Sequence, residues 1–254
     1  MKIKKTPIIL SSLMSVCVLM SGCKGEPADS PFADQLTAQG QTESAQAVAV
    51  KNFETPENGE KIAVITVKDY GEIKIQLFPE VADKAVENFV GLAEMGYYDE
   101  LIFHRIIPNF MNQGGDPRGN GTGGNSIWGE SFDGGIPEGL YHFSGAIAYA
   151  NSGSTATNGS QFYIVNTPDG YLQNTCEELM AYDPSQYSWS QEVIDLYTEK
   201  GGVPFLDGGY TVFGQVFEGM DVVRAMSQVE TDSNDKPLTQ VQIESIKIVE
   251  YQGQ

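Results

Sequence analysis

Cysteine, histidine and basic side chains are scarce in this chain of 254 residues. The three cysteines, Cys17, Cys23 and Cys176, form no C-x-x-C pair and no dense disulfide framework. Histidine occurs only at His104 and His142, too few for a zinc site built from Cys and His. A G-x-S-x-G nucleophile elbow is absent, and neither histidine has an obvious Ser and Asp arrangement around it, so the case for a hydrolase is thin. Asp and Glu are common, yet no D-x-[DN]-x-[DN]-G calcium loop occurs. Lys and Arg number 15 against 34 Asp and Glu, a formal net charge of −19 that argues against binding nucleic acid.

The N-terminus reads as a targeting segment. Lys2, Lys4 and Lys5 precede an apolar run from Ile8 to Met20, too short and too lightly flanked for a firm transmembrane helix. The run ends in Leu19-Met20-Ser21-Gly22-Cys23, which resembles the lipobox of bacterial lipoproteins, with Met20 a less usual residue at its position. That resemblance implies a signal peptide over 1–22, cleavage after Gly22, a diacylglycerol anchor on Cys23 and an extracytoplasmic, membrane-attached protein. The alternative is a plain secretory signal with an incidental cysteine. With residues 1–22 removed and Cys23 lipidated, Cys176 would be the remaining free thiol, and Glu177 and Glu178 beside it argue for an inert one. Residues 24–58 are rich in Gln, Ala, Ser, Thr, Glu and Pro and lack periodicity, so 23–58 is expected to be a lipidated Cys with a disordered tether, spanning roughly 30–35 Å.

Order is expected over 59–254. Ile62, Val64, Ile65 and Val67, then Ile73, Ile75 and Leu77, flank Asp69-Tyr70-Gly71 and predict a β-hairpin. Val81 to Met95 carries the apolar spacing of an amphipathic helix, with Gly96 at its end. Strands are expected at 103–107, 144–150, 161–166, 211–216 and 241–251, and a short helix at 220–226. Many short strands with two helices point to a closed barrel capped by helices. The stretch 171–203 breaks this rhythm. Thr175-x-x-Glu178 and Ser188-x-x-Gln191 look like capping boxes, and Trp189 to Lys200 predicts a helix stopped by Gly201-Gly202. This is a helical insertion whose Tyr182, Tyr187, Trp189 and Tyr197 are expected to form a satellite cluster.

Three blocks carry the chemistry. The first is F-H-R-I-I-P-N-F-M-N-Q-G-G-D, Phe103 to Asp116, which sets one cation and one amide among apolar side chains. For Arg105 alone, a barrel strand with a snorkelling arginine would suffice. The second runs from Gly145 to Asn166 and holds Ala150-Asn151 and Gln161-Phe162-Tyr163; the third is F-L-D-G-G-Y-T-V-F-G, Phe205 to Gly214. Gly119-Asn120-Gly121-Thr122-Gly123-Gly124 satisfies G-x-G-x-x-G, but Pro117 precedes it and no helical pattern follows, so a dinucleotide fingerprint is rejected. Taken in order, the three blocks resemble the cyclophilin family of peptidyl-prolyl cis–trans isomerases over about residues 61–250, outside the insertion.

The resemblance implies a mainly β fold, an eight-stranded antiparallel barrel capped by two helices, that rotates X–Pro peptide bonds without cofactor or metal. Arg105 resembles the catalytic arginine, with Phe110 and Gln113 beside it. Met111, Tyr163 and Leu206, with Phe110, resemble the walls of a proline pocket. Gln113, Asn151 and Gln161 resemble groups that bind the peptide backbone. Phe205 and Tyr210 would lie on the rim, and Gly121, Thr122 and Ser152 beside a neighbouring pocket. Many cyclosporin-sensitive members carry Trp at the Phe205 position; Phe cannot donate a hydrogen bond, so cyclosporin binding is expected to be weakened. Tyr163 stands where Phe is common, and its hydroxyl needs a partner. Proline-containing exported polypeptides are the implied substrates. Two other classes stay open: a binding module without turnover, and a lipoprotein that binds a small solute.

Overall fold

The computed structural model describes residues 49–253. The signal segment, Cys23 and the tether up to residue 48 lie outside the described residues. The described body begins earlier than the sequence suggests. Asn52 is buried: its side-chain amide donates to the Tyr141 carbonyl at 2.9 Å and to Gln215 Oε1 at 3.0 Å, while its own oxygen accepts the Tyr141 N–H at 2.9 Å. Phe53 packs on Phe143 with centroids 5.1 Å apart. The disordered tether expected through residue 58 therefore does not hold for 49–58, because one satisfied amide and one ring fasten a polar-looking stretch that composition alone reads as loose.

Eight strands form one antiparallel sheet. They are β1 (Lys61–Val67), β2 (Gly71–Leu77), β3 (Arg105–Ile107), β4 (Met111–Gly114), β5 (Ala146–Tyr149), β6 (Phe162–Val165), β7 (Val212–Glu218) and β8 (Ile243–Glu250). Their order is β3-β4-β6-β5-β7-β2-β1-β8. The sheet curls until its two edges meet. There the segments leading into β3 and β8 are joined by backbone hydrogen bonds: Glu100 N–H to Ile243 O at 2.8 Å, Ile243 N–H to Leu101 O at 2.7 Å and Phe103 N–H to Val241 O at 2.9 Å. Joining the edges removes a template for aggregation.

Alternation fills the interior. Ala63, Ile65 and Val67 of β1 and Ile73, Ile75 and Leu77 of β2 are all buried, and they meet Ile147, Ile164 and Phe213 in one core cluster. Helix α1 (Asp83–Glu94) turns Ala85, Phe89 and Leu92 inward. Phe89 contacts the rings of Tyr98, Phe162 and Phe213 at centroid distances of 5.4, 5.5 and 5.1 Å. Gly96, with φ of +68°, ends the helix in the left-handed conformation. The short α4 (Met220–Met226) buries Val223 and Met226 and packs near β2. These are the two helices that the barrel reading requires.

The insertion holds two more: α2 (Cys176–Tyr182) and α3 (Gln191–Lys200). The Thr175 capping box forms, both halves present. The Ser188 box does not; Ser190 caps α3 instead, its hydroxyl oxygen accepting the Val193 N–H. Tyr187, Trp189 and Tyr197 join Phe143, Cys176 and Val193 in a satellite core, but Tyr182 stands 88% exposed outside it. Burial, then Asp207 and Glu177, push the Cys176 thiol up to about 12, so it stays protonated. The neck closes where Gly202 N–H meets the Tyr171 carbonyl at 3.0 Å and Val203 N–H meets the His142 carbonyl at 2.9 Å. A Cβ at Gly202 would sit 2.5 Å from the His142 carbonyl oxygen, so no other residue fits this crossing.

Phe89 is wholly buried at the centre of the aromatic cluster. Phe89→Ala should cost about 3–5 kcal/mol of unfolding free energy in a denaturant titration; a loss below about 1 kcal/mol would mean that α1 does not complete the core.

Candidate functional site

The site grows from the register of three short strands. Arg105 of β3 lies opposite Gln113 of β4, and Gln113 lies opposite Tyr163 of β6. Directly opposed residues in an antiparallel ladder share a face, so the arginine, the amide and the phenol stand in one row on one side of the sheet. The next row, Ile106, Asn112, Ile164 and Ile147, points the other way and is wholly buried. Within it Asn112 donates to the Val223 carbonyl at 3.0 Å and accepts from Asn166 Nδ2 at 2.8 Å.

Around the row, the sequence-predicted residues come together. Met111, on the same face as Gln113, is 2% exposed. Phe110 meets Phe205 at 5.7 Å between centroids, and Tyr210 meets Tyr163 edge-on at 5.9 Å. Leu206 is buried in the short 3-10 turn Pro204–Leu206. Gln113 Nε2 donates to Gln161 Oε1 at 3.0 Å, and Gln161 Nε2 donates to the Gly123 carbonyl at 2.8 Å. Asn151 Nδ2 donates to the Gly209 carbonyl at 2.9 Å. A groove of about 720 Å³ runs alongside, lined in part by Gln113, Gly121, Thr122, Asn151, Ser152 and Gln161.

The glycine run is a scaffold for this groove and no phosphate loop. Asp116 accepts the backbone N–H groups of Arg118, Asn120 and Gly121 at 2.8, 3.0 and 2.6 Å. Burial alone would raise its carboxyl; these three donors outweigh burial and hold it below its usual value. A Cβ at Gly123 would lie 2.3 Å from Asp116 Oδ1, which is why glycine stands there. No helix follows the run. Among the described residues no group of three or more His, Cys, Asp or Glu side chains is placed to hold a metal.

Arg105 is half-exposed, and its Nε pairs with Asp235 Oδ2 at 3.2 Å. Asp235 is also fixed by its backbone, its carbonyl accepting the Ile106 N–H at 2.9 Å. Next to Arg105, His104 is buried; burial lowers its pKa, with a partial opposite effect from Asp116, so the ring is neutral at neutral pH. The Tyr163 hydroxyl finds the partner it needs in His142 Nε2 at 2.9 Å, and His142 Nδ1 lies 2.6 Å from Asp207 Oδ1. Asp235, His142 and Asp207 were not singled out from the sequence. Asp207 stands inside the third block, but nothing around Asp235 or His142 marks either of them.

The family model for the cyclophilin-type peptidyl-prolyl cis–trans isomerases matches residues 62–248. A Staphylococcus saprophyticus protein named for peptidyl-prolyl cis–trans isomerase is 42% identical over 193 residues, covering 76% of this chain and 94% of that one. A Staphylococcus aureus protein of the same name is 42% identical over 190 residues, covering 75% and 93%. The crystal structure of a Cryptosporidium parvum cyclophilin-type isomerase, obtained in the presence of the dipeptide Ala-Pro, superposes with a TM-score of 0.58 at 30% identity, covering 75% of this chain and 99% of that one. The strand order, the row of arginine, amide and phenol, and these matches agree: the chain belongs to the cyclophilin family of peptidyl-prolyl cis–trans isomerases.

Proposed function

We propose that this isomerase works at the cell envelope, held to the membrane by a lipid on Cys23, and speeds the folding of exported polypeptides at their X–Pro bonds. The observation that carries the catalytic part is the single row of Arg105, Gln113 and Tyr163 beside the apolar side chains of Phe110, Met111 and Leu206. Rotation about an X–Pro bond faces a barrier of about 18–20 kcal/mol and takes tens to hundreds of seconds unaided. In the twisted state the prolyl nitrogen turns pyramidal and gains a lone pair. Arg105 is permanently charged and donates to that nitrogen, an interaction that the planar ground state cannot offer. Asp235 occupies Nε and leaves the terminal guanidinium nitrogens to the substrate.

The apolar walls grip the pyrrolidine ring, in keeping with the Ala-Pro dipeptide used with the Cryptosporidium parvum relative. Gln113, Gln161 and Asn151 hold the peptide on either side, and the groove past Gly121, Thr122 and Ser152 receives residues before the proline. The Phe205 side chain offers no N–H, so cyclosporin binds more weakly than to members with Trp there. A binding module without turnover is the second reading; the intact charge of Arg105 disfavours it.

Arg105→Ala should lower kcat/KM on a proline tetrapeptide by about 10²–10³-fold with an unchanged melting curve. Arg105→Lys should recover little, because a point charge lacks the guanidinium fork. Unchanged turnover in Arg105→Ala would remove the arginine from the reaction. The anchor is tested separately. Cys23→Ser should shift the protein from the membrane fraction to the soluble fraction of expressing cells, and a variant that stays with the membrane would refute lipidation there.

A further inference from the structure

Three aromatic side chains of the insertion donate hydrogen bonds to one short stretch, 205–207. Tyr187 Oη gives to the Phe205 carbonyl at 3.2 Å. Trp189 Nε1 and Tyr197 Oη both give to Asp207 Oδ2, at 2.9 and 2.7 Å. The other carboxylate oxygen, Oδ1, takes the His142 backbone N–H at 3.0 Å and stands 2.6 Å from His142 Nδ1. Four donors converge on a side chain that is only 11% exposed. His142 Nδ1 faces the Asp207 carboxylate and its Nε2 lies 2.9 Å from Tyr163 Oη, so a neutral ring with its proton on Nδ1 accepts there from the tyrosine. Burial keeps the hydroxyls of Tyr163 and Tyr197 well above the usual phenol range, so both remain donors.

Cohesion of the insertion does not require these bonds. Its own cluster of Phe143, Cys176 and Val193 would be served equally by phenylalanine at 187 and 197. Instead all three buried ring donors point out of that cluster and end on the turn that carries Phe205 and Leu206. Tyr182, the aromatic of the same segment that stands 88% exposed, stays outside this arrangement. The chain from α3 to the pocket is short: Tyr197 to Asp207, Asp207 to His142, His142 to Tyr163.

We propose that the insertion is a positioning clamp for the proline pocket, in which Tyr187, Trp189 and Tyr197 hold Phe205 and Asp207, and through His142 hold Tyr163, so that Leu206 and Tyr163 keep a fixed separation. This rests on the assignment of those two residues to the proline pocket. Trp189 and Tyr197 are positioning residues and act through Asp207. The clamp sets how well the pyrrolidine ring fits, whereas Arg105 and Gln113 are held by their own strands. Loosening it therefore raises KM and spares kcat.

The test uses the full chain with Trp189→Phe, Tyr197→Phe and both together, each keeping the ring and removing one donor. Steady-state isomerisation of a proline tetrapeptide should show KM up by roughly tenfold in the double variant, with kcat within about twofold of wild type. Val193→Ala opens the same apolar cluster without touching Asp207, and should lower the melting temperature while leaving KM alone. An unchanged KM in the double variant overturns the clamp. So does a Val193→Ala variant that raises KM as far as the double variant does. If the double variant fails to fold, Tyr197→Phe alone carries the test, with a rise of about threefold expected and none overturning the proposal. Arg105→Ala run alongside separates the two readings. Wild-type turnover in that variant would undo the site assignment itself, whereas its loss beside an unchanged KM in the double variant would overturn the clamp alone.

Discussion

Everything at this site depends on the register of β3, β4 and β6. Side chains alternate across a strand, so a slip of one residue would turn Arg105, Gln113 and Tyr163 into the barrel and bring Ile106, Asn112 and Ile164 to the surface. The interior cannot accept a guanidinium without a partner. The register is therefore set by the apolar row and by Asn112, whose amide is satisfied only in the present alignment, by Val223 and Asn166. The core thus places the arginine, and the arginine needs no favourable packing of its own. What it has instead is Asp235, which is tied to β3 by its carbonyl and reaches back to the Arg105 Nε.

The pocket beside this row has walls of two kinds. Met111 and Tyr163 belong to sheet strands and inherit the rigidity of the ladder. Phe205 and Leu206 belong to a single 3-10 turn, which the ladder does not fix. The polar groups around Asp207 supply what that turn lacks, and they join it to His142, at the neck of the insertion, and to Tyr163. A largely enclosed carboxylate with four donors is costly to assemble and costly to disturb. Its position between the satellite cluster and the catalytic row makes it the natural joint between the two.

Most of the fold was legible in the sequence, for a physical reason. β1, β2, β7 and β8 are each seven or eight residues long, β2 alternates across the hairpin, and α1 shows its apolar face every three or four positions. α4 matches its expected bounds. β4 does not show as a strand in its residues, since Met-Asn-Gln-Gly has neither alternation nor β-branched side chains; only the resemblance implies an eighth strand. Residues 49–58 look loose in sequence because composition does not report the three hydrogen bonds that tie Asn52 to Tyr141 and Gln215. The candidate site was legible through three separate blocks, which the fold brings together. His142 shows no role among its sequence neighbours, because its partners stand 21 and 65 positions away. Ser190 displaced Ser188 as a cap by two residues, within the usual uncertainty of helix ends.

The central claim is that this row of side chains turns X–Pro bonds over, rather than only holding proline. Exchange NMR on a proline tetrapeptide with a catalytic amount of the full wild-type chain addresses it directly. The account predicts cis–trans exchange cross-peaks at mixing times below about one second, where the free peptide needs tens of seconds or more. Peptide shifts that report binding, without any acceleration of exchange, would contradict it.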